Sequence, residues 1–260
     1  MEEHKLGPAD QTEERDEKLR VEHLFPLSEI LVVGGINNGC FLLTGRSGVG
    51  KSVFAVEFIH DGLLASMKGI YVHTSVPTEG LMDQAASLGL KLDEPGLKER
   101  LVLVDVYASL AGLPSTSQIV LQQGATLNDL SHAINQATKD LSGFRFVLDD
   151  LASVLAFTTP QVAFKFTQIL VSRLKAQKAT GIFTLIPGVL SPEQEKLLPT
   201  LFDGQLELDV EETEKGLMRR FRIRTMRGAK HRTDWVQVDI REGGLQVVEP
   251  KTEPTVSSVS

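Results

Sequence analysis

The sequence has little of several features that mark particular protein classes. Its one cysteine, Cys40, cannot form an internal disulfide, which predicts a reducing compartment and a cytoplasmic protein. It has no run of about 18 apolar residues, so we expect no membrane span. Residues 1–25 are highly charged and lack the apolar stretch of a secretory signal peptide. Lysine and arginine (27) are fewer than aspartate and glutamate (34), and the net charge of −7 argues against a protein that coats nucleic acid.

The composition predicts one folded domain between two polar ends. Apolar residues make up 42% of the 260 residues, which is enough for a substantial core. Residues 1–24 are charge-dense and predict a flexible arm. Residues 249–260 form a polar Pro/Ser/Thr tail of the kind that stays disordered. The domain is therefore expected over residues 25–248.

Strand and helix patterns alternate through this domain. Apolar runs predict strands at 40–44, 69–75, 101–107, 144–149 and 180–186. Helical patterns are found at 51–67, 79–88, 126–141, 159–177 and after 191–192. Further strands are expected at about 204–210, 217–226, 233–240 and 245–248. This order predicts an α/β fold with a mostly parallel sheet, helices on both faces, and antiparallel strands at the C-terminal end.

The stretch "GRSGVGKS" at residues 45–52 fits the phosphate-loop pattern G-x-x-x-x-G-K-[ST] between a predicted strand and a predicted helix. Its glycines let successive backbone N–H groups turn toward phosphate oxygens, and the helix start adds its dipole. Lysine supplies a cation for the β and γ phosphates, and serine offers a hydroxyl to Mg²⁺. The predicted triphosphate-binding residues are Gly45, Arg46, Ser47, Gly48, Val49, Gly50, Lys51 and Ser52.

A Mg²⁺ bound with the triphosphate needs an acid at the end of a buried parallel strand. The run "FRFVLD" ends on Asp149, which we predict as a Mg²⁺ ligand together with Ser52. Asp105 is a rival, but it is expected inside its strand and not at the end.

These motifs, taken in order, resemble the KaiC-like branch of the RecA superfamily of ATPases over residues 25–246. The similar segments are the entry "LSEILVVGGINNGCFLLTGRSGVGKS", the strand "RFVLDDLASV" and the late "TMRGAKH". The resemblance implies a RecA-like core that binds ATP at subunit interfaces and assembles as a homo-oligomer, in many members a hexameric ring.

The sequence departs from that family at two functional positions. Where the family carries a pair of glutamates after its second strand, this chain has Ser75 and Val76. Losing such a base commonly costs roughly 10²–10⁴ in rate, which predicts slow or absent hydrolysis. The family often has a lysine two residues before its late arginine, and here Thr225 precedes Arg227. The resemblance therefore leaves Arg227 alone as a candidate arginine finger that acts in trans.

Other residues could restore hydrolysis. Asp150 follows the predicted Mg²⁺ ligand and is a candidate base, although neighbouring side chains on a strand point to opposite faces. Glu79 is more readily explained as a residue that flanks a helix start. His73 is more readily explained as a hydrogen-bonded core histidine.

The segment 219–227 alternates basic and apolar residues. Arg220, Arg222 and Arg224 are expected on one strand face, either as the solvated face of an edge strand or as an interface or anion site. Trp235 is expected in core or interface packing. The stretch 187–199, where recombinases bind DNA, is short and not basic, which argues against DNA binding.

The sequence thus predicts a protein that binds ATP and Mg²⁺, with at most weak ATPase activity. The favoured function is a nucleotide-gated regulatory or scaffold module that an unidentified regulatory protein recognises. The alternatives are an active ATPase that uses Asp150 as its base, or a recombinase-like accessory protein that binds DNA.

Overall fold

The structure, a computed structural model, describes residues 26–27, 32–33, 38–214 and 216–248. The predicted arm at 1–24 and the predicted tail at 249–260 lie outside the described residues. The strands are β1 (Val32–Val33), β2 (Cys40–Thr44), β3 (Gly69–His73), β4 (Leu101–Asp105), β5 (Ile119–Val120), β6 (Arg145–Asp149), β7 (Thr180–Leu185), β8 (Gly204–Thr213), β9 (Gly216–Met226), β10 (Lys230–His231), β11 (Val236–Arg241) and β12 (Gly244–Val247).

The helices connect the parallel strands. They are α1 (Lys51–Leu64), α2 (Thr78–Ser87), α3 (Pro95–Lys98), α4 (Tyr107–Ala111), α5 (Leu127–Ala137), α6 (Leu151–Leu155), α7 (Pro160–Ala176) and α8 (Pro192–Leu197), followed by a 3-10 turn at Leu198–Leu201. Of the helices in the described part of the chain, none is long and apolar enough to cross a membrane.

Ten strands form one sheet in the order β12-β11-β9-β8-β2-β7-β6-β3-β4-β5. The strands from β8 to β5 in this order pair in parallel, whereas β8–β9, β9–β11 and β11–β12 pair antiparallel. The predicted α/β fold with antiparallel C-terminal strands is confirmed. Because parallel strands end at the same edge, the carboxyl ends of β2, β7, β6, β3 and β4 lie side by side.

Two apolar cores cover the two faces of this sheet. On one face, Phe54 and Phe58 of α1 pack with Leu43 and Tyr71 from the strands. On the other face, helices α5, α6 and α7 cover residues such as Phe146. Alternate residues of one strand therefore belong to different cores, which is the pattern expected of a sheet buried on both sides. Helix α1, which follows the phosphate loop, is held against the sheet along most of its length.

Helix ends follow their capping residues. Thr126 and Asp129 form a capping box at the start of α5, and Thr159 caps α7 with Pro160 in its first turn, both as predicted. Helix α5 ends at Ala137, so the predicted continuation to Leu141 is wrong. The short elements α3, α4, α6 and β5 were not predicted, because helices of four or five residues are too short to show a helical period and β5 has only two residues.

Candidate functional site

The loop at residues 45–50 joins β2 to α1, and each of its glycines has a structural reason. Gly48 and Gly50 have φ angles of +76° and +115°, which favour glycine. A Cβ on Gly45 would lie 2.4 Å from the carbonyl oxygen of Leu208, so the loop packs directly on β8. No side chain among the described residues caps α1, so its first N–H groups have no side-chain acceptor at the end of the loop. This arrangement is suited to an anion.

Lys51 lies against the same loop. Its side chain is largely buried, and Nζ donates to the carbonyl oxygens of Gly45 (2.8 Å) and Arg46 (2.9 Å). Burial lowers the pKa of Lys51, and the nearby carboxylates of Asp150 and Asp149 oppose that shift. The lysine and both aspartates are therefore close enough to interact electrostatically, as the predicted site requires.

Asp149 is the last residue of β6 and is held by two hydroxyl groups. Thr184 Oγ1 on β7 donates to Oδ1 at 2.5 Å, and Tyr71 Oη on β3 donates to Oδ2 at 3.0 Å. Burial and the neighbouring Asp149 charge raise the pKa of Tyr71 well above its usual value, so this hydroxyl keeps its proton. Tyr71 and Thr184 were missed from the sequence, where each is one more residue in a buried strand.

Asp150 is the N-cap residue of α6, and its side chain bonds the first turn of that helix. Its Oδ1 accepts from the backbone N–H of Ala152 at 2.8 Å, and its Oδ2 accepts from Ser153 Oγ at 3.3 Å. Its own N–H donates to Thr74 Oγ1 at 2.7 Å, and the Asp149–Asp150 peptide bond is cis. Burial raises the pKa of Asp150, with a further increase from Asp149. Asp150 thus caps a helix and lies near Lys51, although strand alternation had suggested the opposite face.

The end of β3 carries no carboxylate. His73 is the last strand residue, and Ser75 and Val76 follow it as exposed residues. Glu79 lies in the first turn of α2, as predicted, and accepts from Thr116 Oγ1 at 2.8 Å. The positions of the family's glutamate pair therefore carry the hydroxyl group of Ser75 and the isopropyl group of Val76.

His73 belongs to a buried polar cluster beside this position. Its Nδ1 lies 3.0 Å from the carbonyl oxygen of Val76 and 3.7 Å from Asp105 Oδ1. Ser115 Oγ donates to Asp105 Oδ2 at 2.5 Å, and Thr78 Oγ1 lies 3.3 Å from the same oxygen. The expectation that Asp105 lies inside its strand is wrong, because β4 ends at Asp105. Its carboxylate belongs to this cluster. Asp105 and Asp149 lie on opposite sides of β3, because β3 pairs with β4 and with β6.

The arginine row of β9 is neutralised by acids on β8. Arg220 pairs with Asp209 (2.8 Å) and Glu211 (2.7 Å), and Arg222 and Arg224 both pair with Glu207. The expectation of an edge strand is wrong, because β9 lies between β8 and β11. A row of paired arginines is a poor anion site, since its charges are already compensated.

Three further residues lie near β8 and β9, namely Trp235, Arg46 and Arg227. Trp235 precedes β11, so its predicted place within a strand is wrong, and its half-buried ring contacts Arg220 and Arg222 instead of the core; interface packing of Trp235 stays a prediction. Arg46 of the phosphate loop pairs with Asp209 at 3.1 Å. Arg227 follows β9, and its Nη2 donates to the carbonyl oxygen of Thr200 at 2.8 Å. No ion pair in the described part of the chain involves Arg227.

Comparison with protein families agrees with this geometry. The sequence model of the family described as "ATPase: KaiC" matches residues 24–252. The chain belongs to the KaiC family of ATPases. Its RecA-like phosphate-loop architecture and the resemblance seen in the sequence are thereby confirmed, and nucleotide binding is implied by the family.

Individual KaiC-family relatives are distant but cover most of the chain. A UPF0273 protein of Pyrobaculum aerophilum is 25% identical over 240 residues, which are 89% of this chain and 83% of the relative. The circadian clock protein KaiC2 of Synechocystis is 23% identical over 218 residues, or 83% of this chain and 37% of the relative. The crystal structure of a KaiC-like protein from Pyrococcus horikoshii has a TM-score of 0.65 at 23% identity, covering 86% of this chain and 95% of that one. This likeness shows a shared fold.

Proposed function

We propose that this KaiC-family protein is a nucleotide-gated regulatory module that binds ATP with Mg²⁺ and hydrolyses it slowly or not at all. The observation that carries the proposal is the end of β3, where Ser75 and Val76 replace the glutamates of the family. Neither side chain can accept a proton from water at neutral pH, and removing a positioned base commonly costs roughly 10²–10⁴ in rate.

The residues around the loop fit a triphosphate with its metal. Backbone N–H groups of residues 45–50, the Lys51 ammonium and the uncapped start of α1 would hold the phosphates. Ser52 and Asp149 offer the oxygen ligands that Mg²⁺ prefers. The described residues contain no cluster of three or more His, Cys, Asp or Glu that could hold a metal alone. A Mg²⁺ here would be held by the Asp149 carboxylate, the Ser52 hydroxyl and phosphate oxygens, and it would neutralise part of the phosphate charge.

An active ATPase is the second candidate, and one observation favours it. Burial, and then the neighbouring Asp149, raise the pKa of Asp150 above its ordinary value, which makes its carboxylate a stronger base. Against this role, both carboxylate oxygens of Asp150 already accept hydrogen bonds at the start of α6. Each oxygen keeps a lone pair for a further proton, but these hydrogen bonds oppose the rise in the pKa of Asp150 and fix the orientation of its carboxylate, which is why we favour the regulatory function.

We propose that nucleotide binding regulates through the assembly of several subunits. KaiC-family proteins typically form oligomers, so we propose a homo-oligomer, with a hexamer as its candidate form and ATP at its interfaces. Arg227 is exposed and outside any described ion pair, which suits an arginine finger that reaches the γ-phosphate bound to a neighbouring subunit. A regulatory protein partner would then recognise the assembled state. The recombinase alternative has no support from the neutralised arginine row.

The deciding experiment measures binding, turnover and mass on the same protein. We expect calorimetric binding of Mg-ATP, turnover no faster than in Lys51→Ala, and a larger mass in solution with a non-hydrolysable ATP analogue. Brisk turnover that Asp150→Asn abolishes would replace the regulatory module by the active ATPase. Salt-sensitive capture of single-stranded DNA would favour the recombinase-like accessory.

The trans role of Arg227 has its own test. Mixtures of Arg227→Ala and Lys51→Ala subunits should change assembly or activity in a way that neither variant shows alone, because each interface would need one residue from each subunit. If the two variants behave independently in mixtures, the trans role is wrong.

A further inference from the structure

One face of β8 and β9 carries a network of charges that begins at the phosphate loop and ends at an aromatic ring. We name it the charged ladder and define it by Arg46, Asp209, Arg220, Arg222 and Trp235. Its strand residues alternate with Leu206, Leu208 and Phe221, which point into the core beneath α1. The ladder therefore lies on the sheet face opposite α1 and is partly exposed.

A single carboxylate joins the phosphate loop to β9. Asp209 Oδ1 accepts from Arg46 Nη2 at 3.1 Å, and Asp209 Oδ2 accepts from Arg220 Nη2 at 2.8 Å and Nε at 3.3 Å. Arg46 Nη2 also donates to the carbonyl oxygen of Val210. Hydrogen bonds from Arg220 and then from Arg46 hold the pKa of Asp209 below its ordinary value, so the carboxylate stays charged.

The far end of the ladder is the single tryptophan of the chain. The guanidinium carbon of Arg220 lies 4.6 Å from the Trp235 ring centroid, and that of Arg222 lies 4.3 Å from it. Both distances are within the range of a cation–π contact. Because indole emission depends on nearby charge, a shift of either guanidinium changes the fluorescence of Trp235.

The near end of the ladder is part of the loop that holds the phosphates. The carbonyl oxygen of Arg46 accepts from Lys51 Nζ at 2.9 Å, while the Arg46 side chain is tied to Asp209. A triphosphate that recruits the Lys51 ammonium and the loop N–H groups acts on the backbone to which the Arg46 guanidinium is attached. A displacement of that backbone would shift the Arg46 guanidinium relative to Asp209, the carboxylate that also binds Arg220.

We propose that the charged ladder transmits nucleotide occupancy from the phosphate loop to Trp235 and the exposed face of β9. The inference rests on the nucleotide binding proposed above and adds the route by which binding is sensed. Partly exposed ion pairs contribute little each, so the ladder is expected to change nucleotide affinity by no more than about five-fold. Its effect is a local rearrangement that a partner or the fluorescence of Trp235 can detect.

The test follows Trp235 emission while calorimetry measures binding independently. Titration of the full chain with a non-hydrolysable Mg-ATP analogue should change the emission saturably, with the midpoint of the calorimetric curve. Asp209→Asn should bind within about five-fold of the parent affinity and lose most of the emission change, since Asn cannot hold both arginines. Arg46→Ala should also lose most of the change in Trp235 emission when the variant is saturated with nucleotide. The matched control is Asp234→Asn, which removes an exposed pair with Arg232 next to Trp235 and should keep the change.

Each contrary result has a distinct meaning. Calorimetric binding with unchanged Trp235 emission overturns the ladder and leaves the proposed nucleotide binding intact. An emission change that survives in both Asp209→Asn and Arg46→Ala also overturns it, as does one that appears only with assembly at raised protein concentration. Absence of calorimetric binding overturns the proposed function and the ladder together.

Discussion

Glu57 is a half-buried acid that should make stability depend on pH. It lies on α1, and its Oε2 accepts from the backbone N–H of Leu245 on β12 at 2.8 Å. Burial raises the pKa of Glu57 from 4.5 to about 8, with a smaller increase from Asp61 and a decrease from the Leu245 hydrogen bond. The folded chain therefore holds this proton over a pH range where the unfolded chain has released it.

The sign and size of the effect follow from proton linkage. A pKa of about 8 when folded against 4.5 when unfolded means that the Glu57 contribution is fully present below pH 4.5 and is lost as pH rises to about 8. At about 1.4 kcal/mol per pH unit, the loss approaches about 5 kcal/mol, an upper figure for a side chain that retains some contact with water. Glu57→Gln keeps an acceptor for Leu245 and removes the titration.

Urea denaturation between pH 5 and 9 measures this prediction. The parent should lose free energy of unfolding relative to Glu57→Gln as pH rises, so that Gln is the more stable form above pH 8. Glu193→Gln, at an exposed position of α8, is the matched control and should run parallel to the parent. Equal pH dependence in the parent and Glu57→Gln would refute the reasoning.

Two further substitutions test the loop and the buried cluster. Gly45→Ala places a methyl group 2.4 Å from the Leu208 carbonyl oxygen and should weaken nucleotide binding by more than about ten-fold in calorimetry. A Cβ on Gly48 meets no atom within 4 Å, so Gly48→Ala should weaken binding by only the roughly 1 kcal/mol that its positive φ angle costs. Similar losses of nucleotide affinity in the two variants would contradict the steric argument. Asp105→Asn replaces one carboxylate oxygen by an NH₂ group, so either the backbone N–H of Ala108 or the hydroxyls that share Oδ2 lose this acceptor; the free energy of unfolding should fall by about 1–3 kcal/mol, whereas exposed Asp234→Asn should change it little.

Local features of the sequence were sufficient for the phosphate loop and for much of the fold. The loop pattern needs only neighbouring residues, and β2 and α1 follow from apolar runs on either side of it. The end of β6 at Asp149 was predicted because a buried run ends there on a charge. Caps at Thr126, Thr159 and Ser191 began their helices as expected, since a cap and its partner are three residues apart.

What the sequence by itself determined, then, is the family, the parallel core with its antiparallel end, and the loop that would hold a triphosphate. The tertiary structure decided which residues meet there, because contacts such as Tyr71 and Thr184 with Asp149 join strands far apart in the chain. It also decided that the arginines of β9 are neutralised, since only the β8–β9 register brings Asp209 opposite Arg220. Pairing between strands depends on long-range packing, which a one-dimensional pattern does not contain.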